Sequence, residues 1–112
     1  MSRLAVGIFD NTAVDKIYNM KAQLLMDERE ALSDNAFVER VVWNVAERVA
    51  GSTHTYKYRL AFVVKGTCVL RYDNEAGKGD HRHMGDDQQP YMFSTVDRLL
   101  ADFWKEVDEW RP

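Results

Sequence analysis

The sequence YKYRLAFVVKGTCVLRYD, residues 56–73, decides the fold. On each side of Lys65-Gly66, every second residue is apolar and the charged residues all fall on the intervening positions, which is the period of a β-strand with one buried face. A two-residue turn that contains glycine, placed between two such runs, predicts an antiparallel hairpin. We therefore expect strands over residues 56–64 and 67–73, each with an apolar face and a charged face.

Two segments that precede this hairpin extend the predicted sheet. Residues 37–45 alternate and are rich in β-branched side chains, and residues 20–30 alternate less regularly. The turn signal Ser33-Asp34-Asn35 separates them. Together these segments predict an antiparallel meander of four strands over residues 20–73. One face is apolar, and the other is expected to carry four cations: Arg40, Lys57, Arg59 and Arg71.

A C-terminal amphipathic helix is expected to cover the apolar face of the sheet. The segment Ser94-Thr95-Val96-Asp97 has the spacing of a capping box, with Asp in place of the usual Glu or Gln. Apolar residues then recur at helical spacing at Val96, Leu99, Leu100, Phe103, Val107 and Trp110. A helix over residues 94–110 on one face of an antiparallel sheet gives a two-layer α+β fold.

The chain is expected to form a single domain, 1–112. Residues 1–19 predict only a short N-terminal arm or helix, and residues 74–93, which contain the glycines and two histidines, are expected to be a loop. Some aromatic side chains exceed what one sheet and one helix can bury, and they are candidates for a homodimer interface or for the binding site of another protein. These side chains are Tyr91, Phe93 and Trp104.

Composition and charge are those of a globular domain. The 112 residues are 46% hydrophobic and 29% charged, and a formal net charge of −3 excludes a uniformly basic nucleic-acid-binding protein. Basic side chains nevertheless outnumber acidic ones eight to five within residues 36–85. The single cysteine, Cys68, fits a reducing cytosol, and its strand position predicts a small buried side chain rather than a nucleophile. No apolar stretch is long enough for a membrane span and the first ten residues lack the features of a secretory signal, so we expect a cytoplasmic protein without a membrane partner.

The segment RYDNEAGKGDHRH, residues 71–83, carries the chemistry. It concentrates groups that bind phosphate or move protons, and its glycines match neither a Walker nor a dinucleotide-binding spacing. His81 and His83 are two residues apart. In an extended chain both imidazoles therefore point to one side and Arg82 points to the other.

Three interpretations of the two histidines stay open at this stage. They can be solvated or hydrogen-bonded supports of the fold, without a chemical role. They can be zinc ligands, with a third ligand from Asp73, Asp80 or His54. They can also be an acid–base pair, because an imidazole titrates near neutral pH. Cleavage of RNA by its own 2′-hydroxyl needs a base, an acid and nearby cations, and this segment contains all three.

Several of these runs resemble the TumE family, the toxin side of a type II toxin–antitoxin pair. The resemblance covers roughly residues 20–110. It rests on the runs YKYRL (56–60), LRYDNE (70–75) and GKGDHRH (77–83), on Pro90-Tyr91 and on the closing amphipathic helix. It implies a cytoplasmic growth inhibitor that a small helix-turn-helix antitoxin neutralises.

The leading hypothesis from the sequence is a toxin that acts on RNA as a metal-independent endoribonuclease, with no cofactor. In this hypothesis His81 and His83 are the acid–base pair, and Arg71 and Asp80 complete the catalytic group. Asp73 is expected to support a histidine by fixing its tautomer. The residues expected to bind RNA are Lys57, Arg59, Lys78 and Arg82. The alternative is a non-enzymatic module that binds nucleic acid or protein and whose histidine segment is structural.

Overall fold

The predicted hairpin of residues 56–73 forms the centre of a six-stranded antiparallel sheet. The computed structural model describes residues 22–112, so the expected N-terminal arm at 1–19 lies outside the described residues. The strands follow one another across the sheet in chain order, and a helix comes last. The elements are β1 (Gln23–Ser33), β2 (Ala36–Asn44), β3 (Tyr56–Val64), β4 (Thr67–Asp73), β5 (His81–Met84), β6 (Asp87–Pro90) and α1 (Val96–Glu109).

The turn between β3 and β4 has the backbone that its sequence predicts. Lys65 and Gly66 both have positive φ, at 51° and 78°, which suits a two-residue turn between twisted antiparallel strands. Both strands of this hairpin have the predicted bounds. β2 begins and ends one residue earlier than predicted, and β1 lies three residues later, where the alternation in the sequence is weaker.

The sheet has six strands, and the expectation of four was wrong. The two extra strands, β5 and β6, lie within residues 74–93, which were expected to be a loop. Each has only four residues, and neither HRHM nor DQQP alternates between apolar and polar residues. The periodicity that reveals longer strands is therefore missing. A turn at Gly85, where φ is 58°, joins β5 to β6, and β5 pairs with β4.

The apolar core lies between one face of the sheet and α1. Its buried members are Val38, Val42, Tyr58, Leu60, Phe62, Leu70, Tyr72, Leu99, Phe103 and Val107. The helix begins two residues later than predicted, and the side chain of its N-cap, Thr95, accepts a hydrogen bond from Arg98 N at 3.1 Å. Three aromatic side chains, Tyr91, Phe93 and Trp104, are partly buried against this core, and an interface at these positions stays a prediction. Within residues 22–112, no helix has the length and apolar character of a membrane span.

Arg40 was expected on the charged face of the sheet, but the structure places it on the opposite face. It alternates in phase with Val38 and Val42, which are buried under α1, so its side chain lies on the helix side. Its Nη2 lies 2.8 Å from a carboxylate oxygen of Glu28 and 3.2 Å from one of Glu30. These two carboxylates of β1 neutralise Arg40, which is therefore not part of a phosphate-binding surface.

Cys68 is exposed, so the prediction of a buried cysteine is wrong. The register between β3 and β4 shifts, because Leu70 lies opposite Phe62 but Cys68 lies opposite Val63. The extra residue, Val69, packs against the core. A β-bulge of this kind changes which side chains face the core, and strand periodicity alone does not reveal it.

Candidate active site on the open face of the sheet

The face of the sheet opposite α1, which we term the open face, brings four charged or titratable side chains together. In the β4–β5 pairing Arg71 lies opposite His83, and Asp73 lies opposite His81. Tyr72, between the two β4 residues, is buried on the helix side, so its neighbours point to the open face. The centroids of the two imidazole rings are 6.3 Å apart. Two adjacent strands therefore place two histidines, an arginine and a carboxylate in one patch.

A polar cleft of about 320 Å³ opens at this patch, between β4, β5 and the loop that joins them. Its volume lies in the range of small-ligand sites. The residues that line it are Arg71, Asp73, Glu75, Lys78, His81, His83 and Gln88. The lining offers groups that carry protons and cations that bind phosphate.

His83 is held in its neutral form. Burial disfavours the imidazolium and the Arg71 guanidinium repels it, and both lower the pKa of His83 below its usual value, although Asp73 opposes the shift. Arg71 Nη2 lies 3.3 Å from His83 Nε2. A guanidinium can only donate, so Nε2 accepts this hydrogen bond and the ring proton of the neutral form sits on Nδ1. His83 therefore has a basic nitrogen, Nε2, at the cleft near neutral pH.

The backbone orients His81. Its Nδ1 lies 3.1 Å from Gly79 O. A carbonyl oxygen only accepts, so Nδ1 carries a proton and Nε2 is the atom left to exchange one in the cleft. A fixed tautomer suits a group that must give or take a proton at one defined atom.

Asp73 pairs with Arg71 and lies beside His83. Its Oδ2 lies 2.9 Å from Arg71 Nε, which is close but poorly aligned for a hydrogen bond. Its Oδ1 lies 3.6 Å from His83 Nε2. The carboxylate thus keeps the guanidinium beside the imidazole, and the role of Asp73 in fixing a histidine tautomer stays a prediction.

Three of the cations predicted to bind RNA lie on or beside the open face. Lys78 lines the cleft, and its Nζ lies 3.2 Å from a carboxylate oxygen of Glu75. Lys57 and Arg59 are exposed on β3, and Arg59 lies opposite Asp73 in the β3–β4 pairing. Together they extend positive charge from the cleft across the neighbouring strand.

Arg82 lies on the helix side, so the structure does not bring it together with the other predicted RNA-binding residues. It stands between two histidines that face the open side, and strand alternation turns it the other way. Its guanidinium binds Glu106 of α1, to which Tyr72 Oη also donates a hydrogen bond. Burial raises the pKa of Glu106, but these two donors outweigh burial and leave the pKa lowered. Arg82 therefore ties β5 to the helix.

Asp80 is enclosed in a hydrogen-bonded network and does not line the cleft. Its carboxylate accepts hydrogen bonds from Ser52 Oγ at 2.6 Å, Tyr58 Oη at 2.6 Å and His54 Nε2 at 2.7 Å. His54 Nδ1 in turn accepts from Tyr56 N at 3.1 Å, so the neutral ring carries its proton on Nε2. With all these contacts made away from the cleft, the structure does not support the catalytic position predicted for Asp80.

The network around Asp80 anchors the loop that orients His81. A Cβ on Gly51 would lie 2.7 Å from Gly79 N, and the φ of Gly51 is 93°, so this close approach requires glycine. The contact fixes the backbone whose carbonyl oxygen binds His81. No role was predicted for Ser52, and His54 was expected only as a possible metal ligand. They lie 28 and 26 residues from Asp80, and no local spacing signals such a contact.

The side chains around the cleft do not form a metal site of the kind considered from the sequence. Within residues 22–112, no three His, Cys, Asp or Glu side chains are grouped as metal ligands. Two of the third ligands considered, Asp80 and His54, bind each other at 2.7 Å. The described residues therefore offer no group of three ligands for the zinc interpretation.

Comparison with known proteins gives one finding. The sequence model of the family described as Toxin TumE matches residues 14–111. No curated protein and no solved structure gives a significant match. The family match confirms the resemblance seen in the sequence, and a toxin role suggests an antitoxin partner. Because the match covers nearly the whole chain, the protein belongs to the TumE toxin family.

Proposed function

We propose that the protein is the toxin of a type II toxin–antitoxin pair, neutralised by a small helix-turn-helix antitoxin, and that it acts in the cytoplasm as a metal-independent endoribonuclease. The observation that carries the proposal is the arrangement of His81, His83 and Arg71 around one cleft. One imidazole is kept neutral and the other has a fixed orientation. A base, an acid and a cation are the groups that cleavage of RNA by an internal nucleophile requires.

The chemistry assigns one proton transfer to each histidine. His83 Nε2 takes the proton of an RNA 2′-hydroxyl, and the 2′-oxygen attacks the adjacent phosphorus. The bond from phosphorus to the 5′-oxygen breaks, and this oxygen takes a proton from Nε2 of His81, which enters the reaction protonated. The products are a 2′,3′-cyclic phosphate and a 5′-hydroxyl. Each positioned acid or base typically contributes about 10²- to 10⁴-fold to the rate.

Arg71 supplies the positive charge beside the reacting phosphate. Its guanidinium donates to His83 and pairs with Asp73, so a phosphate oxygen that binds it competes with both contacts. Movement of the guanidinium towards phosphate frees His83 Nε2 for proton transfer when the substrate binds. Lys78, whose side chain is 64% exposed at the rim of the cleft, provides a second cation for the RNA backbone.

The test is cleavage of a labelled single-stranded RNA by the purified full-length protein in the presence of EDTA. His81→Ala and His83→Ala are each expected to lower kcat/KM by at least about 100-fold. Arg71→Gln is expected to lower it by about 100-fold, as for loss of one electrostatic donor. Arg29→Gln is the matched control, because Arg29 lies on the open face at the far end of the same cross-strand row as Arg71, and it should keep wild-type activity.

Other outcomes would identify other functions. RNA binding without cleavage products, unaffected by the histidine substitutions, would identify a non-enzymatic module whose histidines are structural. Activity that disappears in EDTA and returns with a divalent cation would identify a metal-dependent hydrolase. Growth arrest on induction gives a second readout, because arrest that persists in both histidine variants removes their catalytic assignment.

A further inference from the structure

We propose that Trp43 is a stacking platform for a base of single-stranded RNA, and that Lys57 and Arg59 hold the RNA backbone between this platform and the cleft. The inference rests on the proposed function for the identity of the ligand. It adds a binding subsite outside the cleft, on β2, and therefore a minimum length of RNA that the protein can use fully.

Trp43 has no role in the apolar core. Its neighbour Val42 is fully buried beneath α1, so strand alternation turns Trp43 to the open face. Its side chain is half-buried, and it is not among the apolar side chains that pack against the core, which include Trp104 and Trp110. Within residues 22–112, no helix or second sheet packs on the open face over this large flat ring.

The cations beside Trp43 favour a nucleic acid as its ligand. Lys57 lies directly opposite Trp43 in the β2–β3 pairing, is exposed and makes no ion pair within residues 22–112. Arg59 is the next open-face residue along β3, and its side chain is 51% exposed, 3.8 Å from a single carboxylate oxygen of Glu39. Aromatic rings that alternate with cations along a groove are typical of surfaces that bind single-stranded RNA.

The position of Trp43 matches a strand of RNA that crosses the sheet from the cleft. Arg59 lies opposite Asp73, and Asp73 lies opposite His81, so a row of open-face residues leads from β5 across β4 to β3. On β2 this row reaches Val41, and Trp43 is the next open-face residue along the strand, opposite Lys57. Neighbouring strands are about 4.8 Å apart, so three spacings separate β2 from β5 by about 14 Å, and the offset of two residues along β2 adds about 7 Å at right angles. The resulting distance of about 16 Å corresponds to about five stacked nucleotides, which rise about 3.4 Å each.

Phe37 gives a matched comparison on the same strand and face. Its ring is covered by the Arg29 guanidinium, which lies 3.8 Å from the ring centroid. The next open-face residue along β2 is Glu39, whose carboxylate repels phosphate. Phe37 therefore shares the strand, the face and the aromatic character of Trp43, but a cation that pairs with Glu39 already covers its ring.

The experiment compares a trinucleotide and an octanucleotide RNA in binding and cleavage by the full-length protein. Trp43→Ala is expected to raise the KM of the octanucleotide about 10-fold, as for loss of one stacked base, with kcat unchanged. The trinucleotide is too short to reach β2 from the cleft, so its kcat and KM should stay at wild-type values and report that the variant is folded. Trp43→Phe should restore most of the octanucleotide affinity, and Phe37→Ala should change neither substrate.

Binding measured in His83→Ala separates this inference from the proposed function. The comparison is between His83→Ala and the double variant that also carries Trp43→Ala. If the double variant binds the octanucleotide about 10-fold more weakly, the stacking platform is supported even where no cleavage is observed. An equal loss for both RNA lengths, or the same loss in Phe37→Ala, would overturn it. Unchanged RNA affinity together with weakened binding of the antitoxin would instead assign Trp43 to a protein interface, and the inference would be wrong.

Discussion

Replacement of Asp80 by asparagine is expected to destabilise the protein by about 3 kcal/mol, because it removes the charge on which three buried donors converge. The carboxylate is 8% exposed and accepts hydrogen bonds of 2.6, 2.7 and 2.6 Å from Ser52, His54 and Tyr58. Asparagine has nearly the same shape but keeps only one acceptor oxygen. The substitution therefore tests hydrogen bonding and charge with little change in packing.

The expected loss of about 3 kcal/mol follows from the hydrogen bonds that the two carboxylate oxygens of Asp80 accept. Hydrogen bonds to a charged group contribute about 1.5–3 kcal/mol and neutral ones about 0.5–1.5 kcal/mol, so each of three bonds loses about 1 kcal/mol when the charge is removed. The amide oxygen can take the place of Oδ2, which binds His54 and Tyr58. The amide nitrogen then faces the Ser52 hydroxyl, which must reverse its role from donor to acceptor.

The assay is urea unfolding followed by far-ultraviolet circular dichroism, with a thermal scan beside it. A loss of about 3 kcal/mol lowers Tm by about 12 °C in a domain of this size. Asp87→Asn is the matched control, because Asp87 lies on the next strand, is 59% exposed and is 3.9 Å from its nearest cation. It should change stability by less than about 0.5 kcal/mol. If the unfolding free energy of Asp80→Asn lies within about 0.5 kcal/mol of the wild-type value, the buried network does not stabilise the fold as argued.

Three further outcomes are expected. Gly51→Ala should be more destabilising than Gly66→Ala. Both glycines have positive φ, but only a Cβ on Gly51 would meet facing backbone, 2.7 Å from Gly79 N. Equal unfolding free energies of the two variants would contradict this. Arg71→Gln should raise the pKa of His83, read from the NMR titration of its ring proton, because the guanidinium helps to lower that pKa. A fall or no change would contradict this role of Arg71. The folded-state pKa of Glu106 is lowered from 4.5, so its contribution to stability is present above that pH and is lost as the pH falls through the folded value. Wild-type stability should then decline more steeply with acid below pH 4.5 than that of Glu106→Gln, and parallel curves would refute the argument.

The long strands and the helix could be predicted because the apolar residues in each recur at a regular period and turn or capping residues mark its ends. In β3 every second residue faces the core, and the turn at Lys65-Gly66 fixes how β4 pairs with it. The apolar stripe of α1 is as regular. The four residues of β5 lack an apolar alternation, so only their pairing with β4 reveals them as a strand. A single bulge next to Cys68 was enough to expose a residue that the same period predicts to be buried.

The candidate site was predictable where it depends on alternation and not where it depends on distant contacts. The spacing of His81 and His83 places both imidazoles on one face of any extended strand. The same alternation turns Arg82 away, although its cationic side chain drew it into the predicted RNA-binding group. Asp80 differs, because its partners lie 22 to 28 residues away, and nothing in the local sequence shows that they enclose its carboxylate.

The register of β5 determines which face of the sheet carries the histidines. A slip of one residue would move both imidazoles beneath α1 and put Arg82 on the open face. In the observed register Arg82 is bound by Glu106, and each side chain of this pair is only 20% exposed. A slipped strand would leave both charges without a partner in a poorly solvated position, which is costly. The ion pair on the helix side therefore holds the two histidines on the open face, although neither of its residues has an atom in the lining of the cleft.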